Sequence, residues 1–283
     1  MSARLRQMEV ADIEAGLRLC RAAGWNQLEC DWRWFLGWNP AGCRVAVCGG
    51  EVMGTVATLR FEERFGWISM LLVDPSMRGR GIGSALLREA LGLLEDLETV
   101  RLDATPAGKL VYERHGFQEE YPLVRMKAAV PAAGPDAALP GARLMEESDL
   151  ARVLDFDRAV FGADRGALLR GLYATAPEYA FVTETAGEIG GYAFGRHGFR
   201  AEHLGPVAAA EEGAARGLVS ACLARNRDRQ FSLDCTEHSA AWRRWLERLG
   251  FVAERPFVRM FRGSNAWPGM PQRQFAIAGP EFG

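Results

Sequence analysis

The chain has no run of about 18 apolar residues, so the sequence predicts no transmembrane helix. Its start, MSARLRQMEVADI, has no apolar stretch that could act as a secretory signal. A cytoplasmic protein is therefore expected, with no membrane partner. There is no basic excess: 34 Lys and Arg stand against 36 Asp and Glu, a net charge of -2. That balance argues against nucleic acid as a partner, because a phosphate backbone needs cations to neutralise it. The six cysteines (Cys20, Cys30, Cys43, Cys48, Cys222 and Cys235) show no CxxC pairing. Cys43 and Cys48 have no close histidine, so no metal site is expected and reduced, mostly buried thiols are.

What is present is an ordinary globular composition, 48% hydrophobic and 25% charged, over 283 residues. That length suits two units of roughly 130–140 residues better than one. The chain also repeats itself. Met8 and Asp12 match Met145 and Asp149, and Gly50-Glu51 matches Gly187-Glu188, both 137 residues apart. Gly116-Phe117 matches Gly250-Phe251, and PLVRM from Pro122 matches PFVRM from Pro256, both 134 apart. Leu102-Asp103-Ala104 pairs with Leu233-Asp234-Cys235 at 131. The expected division is a first domain at 1–128, an Ala/Pro/Gly-rich linker at 129–141, a second domain at 142–262 and a tail at 263–283. The tail is expected to lie over a domain surface. A tandem pair can pack as a pseudo-dimer, so the assembly is read as a monomer or a homodimer.

The first copy reads as a strand at 4–8, helices at 11–23 and 31–38, and strands at 44–48 and 52–60. The apolar run Phe65 to Val73, ended by Asp74-Pro75, predicts a strand buried on both faces. A helix from Gly81 to Glu95 follows, with Ile82, Leu86, Ala90, Leu93 and Leu97 on one stripe. Next come a strand at 100–104, a helix opened by Pro106 and closed by Gly116, and two last strands from Phe117.

The segment LLVDPSMRGRGIGSALL, Leu71 to Leu87, carries the chemistry. A buried strand leads through an Arg/Gly loop straight into a helix. A helix N-terminus offers unpaired amides and partial positive charge, which suits a diphosphate. Gly79, Gly81 and Gly83 let the backbone approach such a group, and Arg78 and Arg80 add charged donors. The bland alternative is a glycine-rich turn used for tight packing.

The run Arg78-x-x-Gly81-x-Gly83 resembles the acetyl-CoA signature of the GNAT (Gcn5-related N-acetyltransferase) superfamily, and LDATPAGKLVYERHGF, Leu102 to Phe117, resembles that family's later strand–helix block. The resemblance covers nearly all of residues 4–127. It implies an α/β (α+β) chain of two tandem GNAT-like domains, each a mixed, mostly antiparallel twisted sheet flanked by helices. It implies acetyl-CoA as co-substrate and direct attack by an amine on the thioester. The backbone of Leu71, Leu72 and Val73 would bond the pantetheine arm, and Arg78, Gly79, Arg80, Gly81, Ile82, Gly83 and Ser84 would hold the diphosphate. Tyr112 occupies the family's tyrosine position, where its phenol would protonate the departing thiolate. A phenol of pKa about 10 can do so.

The general base is open. The strand before the signature carries no glutamate. Asp103 is a candidate, as are Glu62, Glu63, Glu29 and Asp31, each of which could equally be a structural or solvated carboxylate. Four of the eight tryptophans, Trp25, Trp32, Trp34 and Trp38, fall within fourteen residues. The resemblance implies that this segment forms part of the acceptor pocket, where Trp25 and Trp34 could stack on an acceptor and Glu29 and Asp31 could attract an ammonium; sealing the short helices to the sheet or to the second domain is the equal alternative.

In the second copy Arg78 becomes Glu212, Arg80 becomes Ala214, Gly81 becomes Ala215 and Tyr112 becomes Leu246. The second copy is thus expected to keep the fold without binding CoA. Asp234 and His238, near its later strand, are read as loop residues rather than a catalytic pair. The expected function is acetyl-CoA-dependent transfer to a small-molecule or peptide amine. A non-catalytic acyl-CoA sensor on the same fold is the alternative.

Overall fold

The computed structural model describes residues 3–131 and 141–283. Most of the expected linker, residues 132–140, lies outside the described residues. The first copy folds as β1 (Arg4–Gln7), α1 (Ile13–Ala22), α2 (Glu29–Trp38), β2 (Cys43–Cys48), β3 (Glu51–Phe61), β4 (Phe65–Val73), α3 (Ile82–Gly92), β5 (Thr99–Ala104), α4 (Pro106–Glu113) and β6 (Gln118–Ala128). The second copy continues with β7 (Ala142–Leu144), α5 (Leu150–Phe161), α6 (Gly166–Thr175), β8 (Phe181–Thr185), β9 (Glu188–Arg196), β10 (Glu202–Ala209), α7 (Glu212–Arg225), β11 (Phe231–Thr236), α8 (Ala240–Arg248) and β12 (Val252–Gly263). A last strand, β13 (Gln274–Ile277), lies in the tail.

Two compact units result. The first holds Met1–Asp103, Ala107–Gln118 and Met260–Ala266; the second holds Ala104–Pro106, Glu119–Arg259 and Trp267–Gly283. In the first, β1 to β4 form an antiparallel run, β5 joins β4 in parallel, and the end of β12 follows β5. Thr99 Oγ1 donates to Ser264 O at 2.5 Å, fixing that last addition. In the second unit the order is β12, β6, β11, β13, β10, β9, β8, β7. The mixed sheet and flanking helices are the architecture the sequence implied. The last strand of each copy, however, contributes residues to the other copy's unit.

The duplication is visible in detail. Arg6 pairs with Asp12 at 2.6 Å while the Asp12 carboxylate accepts the Glu9 amide at 2.8 Å. Arg143, Asp149 and Glu146 repeat this, again at 2.6 Å and 2.8 Å. In both copies this carboxylate closes a short 3-10 turn ahead of the first helix, Val10–Asp12 and Glu147–Asp149. The expected helix at 11–23 therefore divides into a turn and α1.

Three other expectations change. The two strands from Phe117 are one, because Pro122 lies just outside the β6–β11 register, which runs from Leu123↔Thr236 to Ala128↔Phe231. Pro122 costs no ladder bond there, and its carbonyl still accepts the Glu237 amide at 3.3 Å. On α3 the stripe shifts after Ala90: Leu94 is buried and Leu93 half-buried, since the helix ends at Gly92. The end of the tail does not cover a surface: β13 is wholly buried, antiparallel to both β10 and β11.

Candidate active site

β4 and β5 pair only where they begin, at Gly66↔Val100 and Trp67↔Arg101. Beyond that point no described strand follows β4 on its β5 side. On its other side Thr55 faces Leu72 and Ala57 faces Ser69, so two steps on β3 match three on β4. This bulge puts Met70 in the left-handed region, φ 53, while Thr55 Oγ1 donates to Met70 O at 2.8 Å. The extra residue re-aims the end of β4, leaving Leu71 and Val73 half-buried around buried Leu72. An opened strand end with polar backbone on one side suits an extended ligand.

The loop is built in two parts. Asp74 stops the strand and caps the turn Pro75–Met77, accepting the Ser76 amide at 3.0 Å and the Ser76 hydroxyl at 2.7 Å. Arg18 donates to the same carboxylate at 2.7 Å. The Ser76 bonds, then Arg18, hold its pKa below the ordinary value. Gly81 then takes φ 80 and ψ 0 as the N-cap of α3, with no side chain capping the first turn. A Cβ at Gly81 would meet nothing within 4 Å, so its backbone angle, and not crowding, demands glycine. Arg78, Gly79, Arg80 and Gly81 are exposed. Arg78 Nε donates to Val73 O at 3.3 Å. Gly54 lets α3 sit close on β3: a Cβ there would lie 2.9 Å from Leu86 Cδ1 and 3.2 Å from Ile82 Cγ2. Two arginines, an uncapped helix start and an acidic neighbour already occupied fit a diphosphate.

Tyr112 is half-buried on α4, its ring edge-on to Phe117 at 5.9 Å. Its hydroxyl makes no hydrogen bond among the described residues, and burial pushes its pKa up to about 12. Asp103 is half-buried one residue before the end of β5. Leu71 to Ser84 thus form one continuous feature, and the remaining candidates lie on separate elements. Glu29 is exposed and accepts from Arg33 Nε at 2.8 Å. Asp31 is buried, accepting the Leu28 amide at 2.7 Å as part of the α2 cap. Trp34 stacks on Trp38 at 5.6 Å, both half-buried, as is Trp25. Trp32 is fully buried, its indole over Gly16, where a Cβ would lie 2.8 Å from Cε2. Glu62 and Glu63 pair with Arg64 at 3.2 Å and Arg60 at 3.4 Å. Sequence reasoning missed Met70, Thr55 and Arg18; a lone glycine inside a strand, Gly54, was the one available signal.

The second copy lacks this loop. β10 runs to Ala209 and α7 begins at Glu212, so Glu212 to Ala215, aligned with Arg78 to Gly81, are the first turn of a helix. The Glu212 carboxylate is held by Arg216 and by Ser239 Oγ at 2.5 Å. Asp234 is no loop residue: it lies fully buried on β11, paired with Arg125 at 2.7 Å. His238 is exposed against the Tyr121 ring at 4.8 Å.

Two family models, each described as an acetyltransferase (GNAT) domain, match residues 39–119 and 153–276. The chain belongs to the GNAT superfamily, as a tandem member. A curated holothin acyltransferase from Pseudoalteromonas sp. is 24% identical over 252 residues, 88% of this chain and 84% of the relative. Among solved structures, a Pyrococcus horikoshii protein provisionally assigned as an acetyltransferase matches with TM-score 0.83 at 19% identity, covering 100% of this chain and 96% of that one. A tandem GNAT protein from the clavulanic acid biosynthesis pathway matches at TM-score 0.61 and 18% identity, covering 92% and 98%. These structural likenesses carry the fold alone. The GNAT models and the acyltransferase relative support an acyltransferase that uses an acyl-CoA, and they do not favour the alternative of a non-catalytic acyl-CoA-binding sensor. Among the described residues no helix is long and apolar enough to cross a membrane, and no group of three His, Cys, Asp or Glu could hold a metal.

Proposed function

We propose that the first GNAT copy binds acetyl-CoA and transfers its acetyl group to an amine, on a small molecule or a peptide. The observation that carries this reading is the opening of β4 from β5 directly before an exposed Arg/Gly loop and an uncapped helix start. Acetyl-CoA, when bound, supplies an activated thioester. Arg78, Arg80 and the amides from Gly79 to Ser84 hold its diphosphate, and the backbone of Leu71 to Val73 aligns its arm. The amine nitrogen bonds to the acetyl carbon as the carbon–sulfur bond breaks. Tyr112, kept protonated by its burial, gives its proton to the leaving sulfur. Asp103, directly or through a water, takes the proton from the amine. Trp25, Trp34 and Glu29 line the acceptor side, and buried Asp31 acts only through the α2 cap it forms. The functional division follows the repeat, with catalysis at 1–128 and a non-binding copy at 142–262.

A calorimetric titration of the whole chain with acetyl-CoA tests this reading. One site per chain, weakened sharply by Arg78→Glu, supports it. No binding would overturn it, and two sites would show that the second copy is competent after all.

A further inference from the structure

β10 and β11 part in the same way as β4 and β5. They pair in parallel only at Glu202↔Phe231 and His203↔Ser232. Phe231 and Ser232 are the repeat counterparts of Val100 and Arg101, where β4 and β5 also part. Among the described residues no strand lies in the first copy's opening. The second copy's opening holds β13, which pairs with β10 at Val207↔Ala276 and Ala208↔Gln274 and with β11 at Asp234↔Ile277 and Cys235↔Ala276.

We propose that Gln274–Gly283 is a built-in occupant of the second copy's cleft, an extended peptide standing where the first copy admits its acyl donor, and that it closes the second copy to CoA permanently. This rests on the proposed function only for the identity of what the first cleft admits.

The seat is built for this segment. Thr236 Oγ1 donates to Gln274 O at 2.5 Å, and Trp242 Nε1 to Phe275 O at 3.0 Å. Gln274 Nε2 donates to Val160 O at 3.1 Å. His203 Nε2 lies 3.3 Å from Ile277 O, and burial keeps that ring neutral, so it can donate from Nε2. Arg196 pairs with Glu281 while both are almost wholly buried, and Arg165 donates to Gly283 O at 2.6 Å. Ile277 and Phe282 are 0% exposed. Gly205 is shaped to the occupant: a Cβ there would overlap the Ile277 carbonyl oxygen. A lid poised to open would be exposed and loosely held. This segment instead takes ladder bonds from two strands, and removing it would strand buried donors and charges. Occlusion therefore adds to the loss of the phosphate loop, and the two changes agree.

Hydrogen exchange on the whole chain, with and without acetyl-CoA, tests this. Phe275, Ala276 and Ile277 amides should exchange as slowly as those of β10 and β11, unchanged by acetyl-CoA. Fast exchange, or acceleration on adding acetyl-CoA, would overturn the proposal by making the segment a displaceable lid. The full-length Gly205→Ala variant should exchange its tail amides about tenfold faster or more, and still bind one acetyl-CoA per chain. A second equivalent bound by that variant would mean the segment guards a competent site. Should Gly205→Ala not fold, Glu281→Gln is read the same way. Failure of the first copy to bind acetyl-CoA would sink the proposed function and leave the exchange result standing.

Discussion

Replacing Tyr112 with Phe removes one oxygen that has no hydrogen-bond partner among the described residues, and keeps the ring that meets Phe117 edge-on at 5.9 Å. No buried donor or acceptor is orphaned, so the stability change should stay within about 0.5 kcal/mol. Acetyl-CoA affinity should not change, because the proposed diphosphate seat lies on other residues. Only the proton for the leaving sulfur is lost. A positioned general acid contributes roughly 10²–10⁴ in rate, or about 3–5 kcal/mol of barrier. The assay is free-thiol release in steady state with any amine that supports turnover, beside calorimetry with acetyl-CoA. The pH profile adds a second reading. Burial raises the phenol from 10.0 to about 12, so the acid form persists through the neutral range and no rate loss below pH 10 should trace to it. The fold favours the protonated phenol, so its stabilising share is full below pH 10 and declines as pH rises toward 12. That decline should be missing in the Phe variant. A Tyr112→Phe enzyme with kcat within about threefold of wild type would refute the assignment.

Arg78→Glu places a carboxylate where Glu212 stands in the second copy; acetyl-CoA affinity should fall by about tenfold or more, with the melting temperature unchanged because Arg78 is exposed. Asp234→Asn leaves Arg125 buried without its counter-charge and should cost about 3–5 kcal/mol in urea unfolding; a loss below about 1 kcal/mol would mean Arg125 finds another partner. Burial, then the Arg196 charge, lowers His203 from 6.5 to about 4. The unfolded chain therefore takes up a proton the folded chain refuses, and stability should fall by about 3 kcal/mol from pH 6.5 to pH 4. Thermal melts across that range check it, and His203→Gln should flatten the slope. Asp103→Asn separates two roles: a base loses kcat with stability kept, whereas a structural carboxylate loses both.

The parts of the fold read correctly from sequence were those whose signal is local. β4 is right at both ends because nine uncharged residues stop at Asp74-Pro75, and α3 is right at its start because glycine precedes an apolar stripe, while its end falls at Gly92 instead of Glu95. The Arg/Gly loop was legible as a structural element for the same reason: strand, loop and helix are contiguous. Asp31 was half-legible, since a carboxylate three residues into a helix is a cap as readily as an ammonium site. The misses depend on distant partners. Four residues, Gln274 to Ile277, are too few to display a strand period, and their partners Val207 and Asp234 lie tens of residues upstream. The bulge at Met70 leaves no mark in composition, because what defines it is a count against β3. The transfer of β6 residues to the second unit was equally hidden, since the repeat shows which residues correspond and not which ones pair.

One duplicated scaffold thus carries two opposite arrangements at the same three places. At the strand opening, the first copy leaves β4 and β5 apart, and the second fills the gap between β10 and β11 with its own tail. At the following turn, the first copy holds two exposed arginines before a glycine-capped helix, and the second extends its helix through the aligned positions and satisfies the start with Glu212. At the next strand, the second copy's Asp234 is buried and matched to Arg125, while the first copy's Asp103 stays half-buried. At the first two places the second copy has an internally satisfied feature where the first copy has an open or exposed one. Under the proposed function that contrast is expected, because an empty polar cleft is a cost to a fold that does not fill it with a ligand.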